Sequence, residues 1–121
     1  LTDTALENLQ KIIANKQTLF QRAFRTDSTE IEITEEKISF LWFPYTADSD
    51  EIAAYTQFIS RLCDMARDAK RVSSKPTETD NDKYAFRCFL LRLRFIGKEY
   101  TTARKILLRN LTGNSAFRSV K

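Results

Sequence analysis

Seven basic side chains lie within the most apolar stretch of this 121-residue chain, AFRCFLLRLRFIGKEYTTARKILLRN at residues 85–110. Guanidinium and ammonium groups bind phosphates and carboxylates through charge-assisted hydrogen bonds. Lys98, Lys105 and Arg109 are therefore expected to contact phosphates, with Arg87 and Arg94 flanking them. The full candidate set for nucleic-acid binding is Arg87, Arg94, Lys98, Thr101, Lys105, Arg109 and Arg118.

The charge distribution also indicates an anionic partner. Residues 1–80 carry ten Lys and Arg against fourteen Asp and Glu, a balance of −4, whereas residues 81–121 carry ten against two, a balance of +8. A basic C-terminal third of this kind is typical of proteins that bind a polyanion. The two partners that fit are nucleic acid and an acidic protein.

The residues needed for common catalytic sites are missing from the sequence. The chain has no His and only two Cys, Cys63 and Cys88, which excludes a Cys-His nucleophile, a Ser-His-Asp triad and a Cys/His zinc site. Both thiols are predicted to be reduced and buried in helices. Glu35 and Glu36 fall in a predicted turn, where acids are normally solvated. We expect no enzymatic activity, no metal and no other cofactor.

Periodicity predicts a helix and then a hairpin in the first part of the chain. A helical stripe predicts a helix from Ala5 to Phe24, opened by a capping box of Thr4 and Glu7. Alternating apolar residues then predict two strands, TEIEIT and ISFLW, joined by the four-residue turn TEEK. The aromatic run FLWFPYT at residues 40–46 is interpreted as core and hairpin exit rather than as a platform for stacking bases.

Helical spacing returns in DSDEIAAYTQFISRLCDMARDAKRV, which predicts a central helix capped by Asp48. Residues 73–81 are predicted to form a linker because none of them has an apolar side chain. Two basic helices follow, Asp82 to Phe95 and about Glu99 to Leu111, with Gly97 and Gly113 as stops. The expected fold is one mainly helical α+β domain, 1–121, of order α-β-β-α-α-α. Residues 1–72 form its helix-hairpin-helix part and residues 82–121 its basic helical pair and tail.

Within the first of these basic helices, a helical wheel assigns Lys83, Arg87 and Arg94 to one solvent stripe and Arg92 to the opposite, apolar side. Arg92 is then either a structural residue, paired with an acid or reaching water along its stem, or a cleft residue for phosphate or carboxylate. The helix, glycine turn and helix also have the outline of a helix-turn-helix, although an ordinary basic hairpin explains the same residues.

No run approaches the roughly 18 apolar residues of a membrane helix, and the first residues are polar, so we expect a cytoplasmic protein with no membrane partner. The stretches YTQFISRLCDMARDAKRV and DNDKYAFRCFLLRLRFIGKEYTTARKILLRNLTGNSAFRS resemble small proteins of conjugative elements in gut Firmicutes. Those proteins are labelled virulence-related or are found as tails on amidoligase-like genes. The resemblance implies a mobile-element setting and transfers no catalytic residue.

The sequence thus favours a small accessory nucleic-acid-binding protein. The alternative is a non-enzymatic interaction module that binds an acidic host or conjugation protein, because basic patches also attract and orient protein partners. Charge alone does not separate the two. Oligomeric state, sequence specificity and the choice between DNA and RNA stay open.

Overall fold

The computed structural model describes residues 2–35, 37–43, 46–70, 72–73 and 81–112. Its elements are α1 (Asp3–Asn15), α2 (Gln17–Phe24), β1 (Ile31–Ile33), β2 (Ile38–Phe40), α3 (Ser49–Asp68), α4 (Asp82–Arg92) and α5 (Thr101–Leu108), with a 3-10 turn at Lys98–Tyr100 before α5. The predicted mainly helical α+β class is confirmed. Gly113 and the candidate residue Arg118 lie outside the described residues.

The single N-terminal helix of the prediction is in fact two helices. Lys16 has φ −105° and ψ 14°, which interrupts the helix between α1 and α2. The predicted capping box at Thr4 is also wrong, because α1 begins at Asp3, two residues earlier than predicted. Thr2 is the N-cap, and its hydroxyl accepts a hydrogen bond from the backbone N–H of Ala5 at 3.1 Å.

The hairpin has the predicted antiparallel pairing, with Ile31 opposite Phe40 and Ile33 opposite Ile38. These four residues share one face, which packs partly against the helices. Trp42 lies beyond the strand, is only 2% exposed, and donates from its indole N–H to the carbonyl of Glu30 at 3.0 Å. The interpretation of Trp42 as core is therefore confirmed.

The core is built around aromatic rings. Phe20 of α2 is fully buried, and its ring lies 5.6 Å from the rings of Trp42, Phe58 and Phe89 between centroids. Helix α3 packs against both α1 and α5. Buried apolar side chains from all five helices belong to one hydrophobic cluster, so the basic helices are attached to the acidic part of the chain by shared core residues.

Polar contacts fix the C-terminal helices on this core. Asn81, predicted as the end of the linker, is buried and caps α4: its side-chain oxygen accepts from the backbone N–H of Tyr84 at 3.1 Å. Arg22 pairs with Asp82 at 2.8 Å, which joins α2 to the start of α4. At the other end, the amide of Asn110 donates to the carbonyl of Ala23 at 2.9 Å.

Helix α4 ends earlier than predicted and by a different residue. Arg94, with φ 74°, takes the left-handed position where glycine is usual. Its N–H donates to the carbonyl of Leu91, and the N–H of Phe95 donates to the carbonyl of Leu90, each at 3.0 Å. This is a complete Schellman motif. Gly97, the predicted stop, instead has φ 96° and begins the 3-10 turn before α5.

Candidate nucleic-acid interface

The basic stripe predicted on α4 is not a solvent stripe. Lys83 and Arg87 are half-buried, and Arg94 lies beyond the end of the helix. Arg92 was predicted to point into the apolar side, and this is wrong because Arg92 is exposed. The buried face of α4 and its end consists of Phe86, Phe89, Leu90 and Leu93. At 100° per residue Arg92 lies about 110° from the centre of that face, and Lys83 only about 70°.

Arg104 of α5 and Arg109, the C-cap of α5, both form structural contacts. Arg109 pairs with Glu51 of α3 at 3.1 Å and donates to the hydroxyl of Tyr55 at 3.3 Å. The hydrogen bond to Glu51 is the main reason why the pKa of Arg109 lies above its ordinary value. Arg104 donates to the carbonyls of Phe95 and Gly97, at 2.9 and 3.0 Å. Arg109, predicted to contact phosphates, is thus held by an acid of the N-terminal part.

The connection between α4 and α5 presents cations instead. Along residues 92–98, which we call the cationic turn, Arg92, Arg94 and Lys98 are exposed. Leu93 and Phe95 alternate with them and are 2% and 1% exposed, so the turn is anchored in the core at two points. The hydrogen bonds from Arg104 hold its backbone. Within the described residues, none of the three exposed cations forms a salt bridge.

Arg94, like Arg25 at the end of α2, has a left-handed backbone conformation. A left-handed conformation costs an L-residue about 1–2 kcal/mol, and glycine would avoid that cost. Such outliers cluster at functional sites, where surrounding contacts hold them in place. Here the anchors on either side, Leu93 and Phe95, over-determine the conformation. The strain is therefore tolerated at a position that keeps a guanidinium on the surface.

A groove of about 520 Å³ lies between the cationic turn and the C-terminal half of α3. Four arginines line this arginine groove, against two carboxylates: Arg61, Arg67, Arg92 and Arg94 face Asp64 and Asp68. Arg67 pairs with Asp64 at 2.7 Å. Arg61 donates to the hydroxyl of Tyr100 and lies over its ring, 5.3 Å from the centroid, so its guanidinium is fixed in direction.

The other candidate residues lie on or beside α5. Lys105 is exposed, and Thr101 is half-buried with its hydroxyl accepting from Arg104 at 3.4 Å. The structure therefore places Arg94 and Lys98 together on the cationic turn and Lys105 in α5. Arg87 differs from them because it is half-buried, and Arg109 differs because it is paired with Glu51. The five-residue connection and 3-10 turn between α4 and α5 are longer than the three to four residues of a helix-turn-helix.

The exposure of the two thiols and the grouping of the acidic side chains also bear on what the described residues can do chemically. Cys63 and Cys88 are free thiols, as predicted, but are half-buried rather than buried. Burial raises the pKa of the Cys63 thiol, with smaller opposing effects of nearby charges, so its thiolate form is disfavoured. In the described ranges, no three Cys, Asp or Glu side chains are grouped to hold a metal ion.

The sequence pattern did not indicate Arg61 for this site, and it left Arg92 open between a structural residue and a cleft residue. A helical wheel centred on the buried aromatics, rather than on Lys83, would have placed Arg92 outside. No sequence signal indicates that Arg61 and Arg92 line the same groove, because only the tertiary structure places the C-terminal half of α3 and the end of α4 on its two sides.

Comparison with known proteins does not assign a family: no family model, curated protein or solved structure matches this chain. Among the helices of the described ranges, none is both long enough and apolar enough to cross a membrane.

Proposed function

We propose that this protein is a small non-enzymatic accessory protein that binds nucleic acid through the cationic turn and the arginine groove. One observation supports it most: Arg92, Arg94 and Lys98 are exposed within seven residues on a turn anchored at two buried positions. Outward cations at fixed spacing suit successive phosphates of a strand. The mobile-element setting implied by the sequence resemblance belongs to the same proposal.

Binding of this kind depends on salt because phosphate contacts release counterions. Each phosphate neutralised on duplex DNA contributes about 0.9 to the slope of log affinity against log salt. Three contacts from the cationic turn give a slope of about −2.7 and a loss of roughly fortyfold between about 50 and 200 mM salt. The structure changes the expected contacts from the Lys98, Lys105 and Arg109 set to one centred on Arg92, Arg94 and Lys98.

Fluorescence anisotropy with labelled random duplex DNA, single-stranded DNA and RNA tests the proposal. The test variant is Arg94→Glu with Lys98→Glu, and the matched control is Lys11→Glu with Lys37→Glu, in α1 and the hairpin turn. Each substitution replaces one positive charge by one negative charge, so both double variants change the formal net charge from +4 to 0. We expect the test variant to lose about 1.8 of the salt slope and the control to stay within twofold of the natural protein.

Two results contradict the proposal. If the protein binds none of the three nucleic acids at low ionic strength, the proposed nucleic-acid binding is wrong. If the test and control variants lose affinity for nucleic acid equally, the proposed site is wrong, because net charge and not the cationic turn then explains the affinity. Circular dichroism on each variant checks that the fold is retained.

An acidic protein partner is the second candidate, and one observation favours it. Ile96 is 56% exposed in the middle of the cationic turn, between Arg94 and Lys98. An apolar residue ringed by charges is typical of a protein interface. Ile96→Ser should weaken capture of such a partner from the native host while leaving phosphate-driven nucleic-acid binding within twofold. If the same substitution abolishes nucleic-acid binding, the two functions share this residue.

A further inference from the structure

A smaller pocket, of about 230 Å³, shares Met65, Ala69 and Arg92 with the arginine groove. Its charged lining residues are Lys16 and Arg92, and the part of the chain that the structure describes contributes no carboxylate to it. Ile12, Met65 and Phe89 form its apolar side. We call this cavity the Lys16 pocket. It is smaller than the roughly 300–1,000 Å³ typical of drug-sized ligand sites.

The Lys16 pocket lies where three helices end. Lys16 is the C-cap of α1, Ala69 is the C-cap of α3, and Arg92 is the last residue of α4. Cations near helix C-termini interact favourably with the last carbonyls. That structural role is the alternative that an experiment must exclude.

The two cations are not neutralised by the described acids. Neither Lys16 nor Arg92 forms a salt bridge in the described ranges. The Lys16 ammonium is half-buried and lies 5.8 Å from the centroid of the Phe89 ring. Burial lowers the pKa of Lys16, and the positive charge of Arg92 lowers it further. A bound anion would relieve this repulsion.

We propose that the Lys16 pocket binds a phosphate monoester, with the phosphate between Lys16 and Arg92 and a small organic group against Ile12, Met65 and Phe89. Guanidinium offers two parallel donors to a phosphate, and ammonium adds a point charge from a second helix. The apolar side distinguishes a monoester from inorganic phosphate. The Lys16 pocket shares Arg92 and Met65 with the arginine groove, but Lys16, Ile12 and Phe89 lie outside both that groove and the cationic turn, so substitution of Lys16 tests this site apart from the proposed nucleic-acid binding.

Isothermal titration of the full chain with phenyl phosphate, inorganic phosphate and sulfate at constant ionic strength tests the site. We expect phenyl phosphate to bind most tightly. Lys16→Met should weaken it about tenfold or more, Lys16→Arg should restore it, and the control Lys11→Met should leave it unchanged. Arg94→Glu with Lys98→Glu should also retain phenyl phosphate binding, which separates this site from the proposed nucleic-acid surface.

A pair of oligonucleotides, one with a 5′-phosphate and one with a 5′-hydroxyl, identifies the source of the monoester. A preference for the 5′-phosphate that disappears in Lys16→Met assigns the pocket to strand ends, whereas binding of phenyl phosphate alone assigns it to a free small molecule. Either result supports the site.

Two results overturn the proposal. The first is no binding of phenyl phosphate by the natural protein. The second is equal binding by Lys16→Met and Lys11→Met, which leaves Lys16 with only its role at the helix end.

Discussion

Replacement of Arg94 by glycine should stabilise the protein and weaken its binding to nucleic acid at the same time. Arg94 has φ 74°, so glycine removes a left-handed strain of about 1–2 kcal/mol. Glycine also increases the entropy of the unfolded chain, which costs about 0.4–1 kcal/mol. The net gain in the free energy of unfolding is about 0.5–1 kcal/mol, or roughly 2–4 °C in Tm for a chain of this length.

The same substitution removes one expected phosphate contact. The salt slope should fall by about 0.9, and affinity at about 0.1 M salt should fall roughly five- to tenfold. Thermal unfolding followed by circular dichroism measures the first effect, and anisotropy across a salt series measures the second. A variant that is more stable yet binds less tightly has not lost binding through unfolding.

The chain offers a matched control for this experiment. Arg25, at the end of α2, is also left-handed, with φ 51°, and does not line the arginine groove. Arg25→Gly should give a similar rise in Tm with affinity within twofold of the natural protein. The reasoning is refuted if Arg94→Gly keeps the full salt slope, or if Arg25→Gly weakens binding by the same amount.

Two further predictions concern Lys16 and Arg109. Burial lowers the pKa of Lys16, so between that lowered pKa and 10.5 the unfolded chain binds more protons than the folded chain, and the free energy of unfolding rises with pH. In denaturant unfolding, the free energy of unfolding of the natural protein should therefore rise relative to that of Lys16→Met as pH increases. A difference between the two proteins that stays constant with pH would contradict this prediction. Arg109→Gln removes an exposed pair with Glu51 and should cost no more than about 1 kcal/mol in urea unfolding. Its nucleic-acid affinity should stay within twofold, whereas a loss as large as that of Arg94→Glu with Lys98→Glu would place Arg109 in the interface.

The elements of the fold were largely predictable because apolar spacing reports which face of each element is buried. The central helix begins after its Asp48 cap and α4 begins at Asp82, as the sequence predicts. The break at Lys16 was not predictable, because the apolar residues of α1 and α2 keep the same helical spacing on both sides of Lys16. The end of α4 was predicted wrongly because glycine is the residue that most often ends a helix, and Gly97 is the glycine in this segment. In the structure, the buried packing of Leu93 and Phe95 places the left-handed turn at Arg94 instead.

The candidate site was predictable only as a region. Sequence charge located the surplus of cations in the C-terminal third, and Arg94 and Lys98 were both named from it. Which cations stay available depends on partners far away in sequence. Arg109 meets Glu51 across 58 residues, and Arg61 lines one groove with Arg92 and Arg94 only because the fold places α3 and the end of α4 on its two sides.

The amino-acid sequence by itself determined the mainly helical class, the hairpin and the separation of acidic and basic parts, because these follow from local periodicity and composition. Tertiary structure alone decided which arginines are paired, which are exposed and which surround a common groove. The physical reason is that a cation's availability is set by the solvent and charges around its head group, and elements distant along the chain supply both.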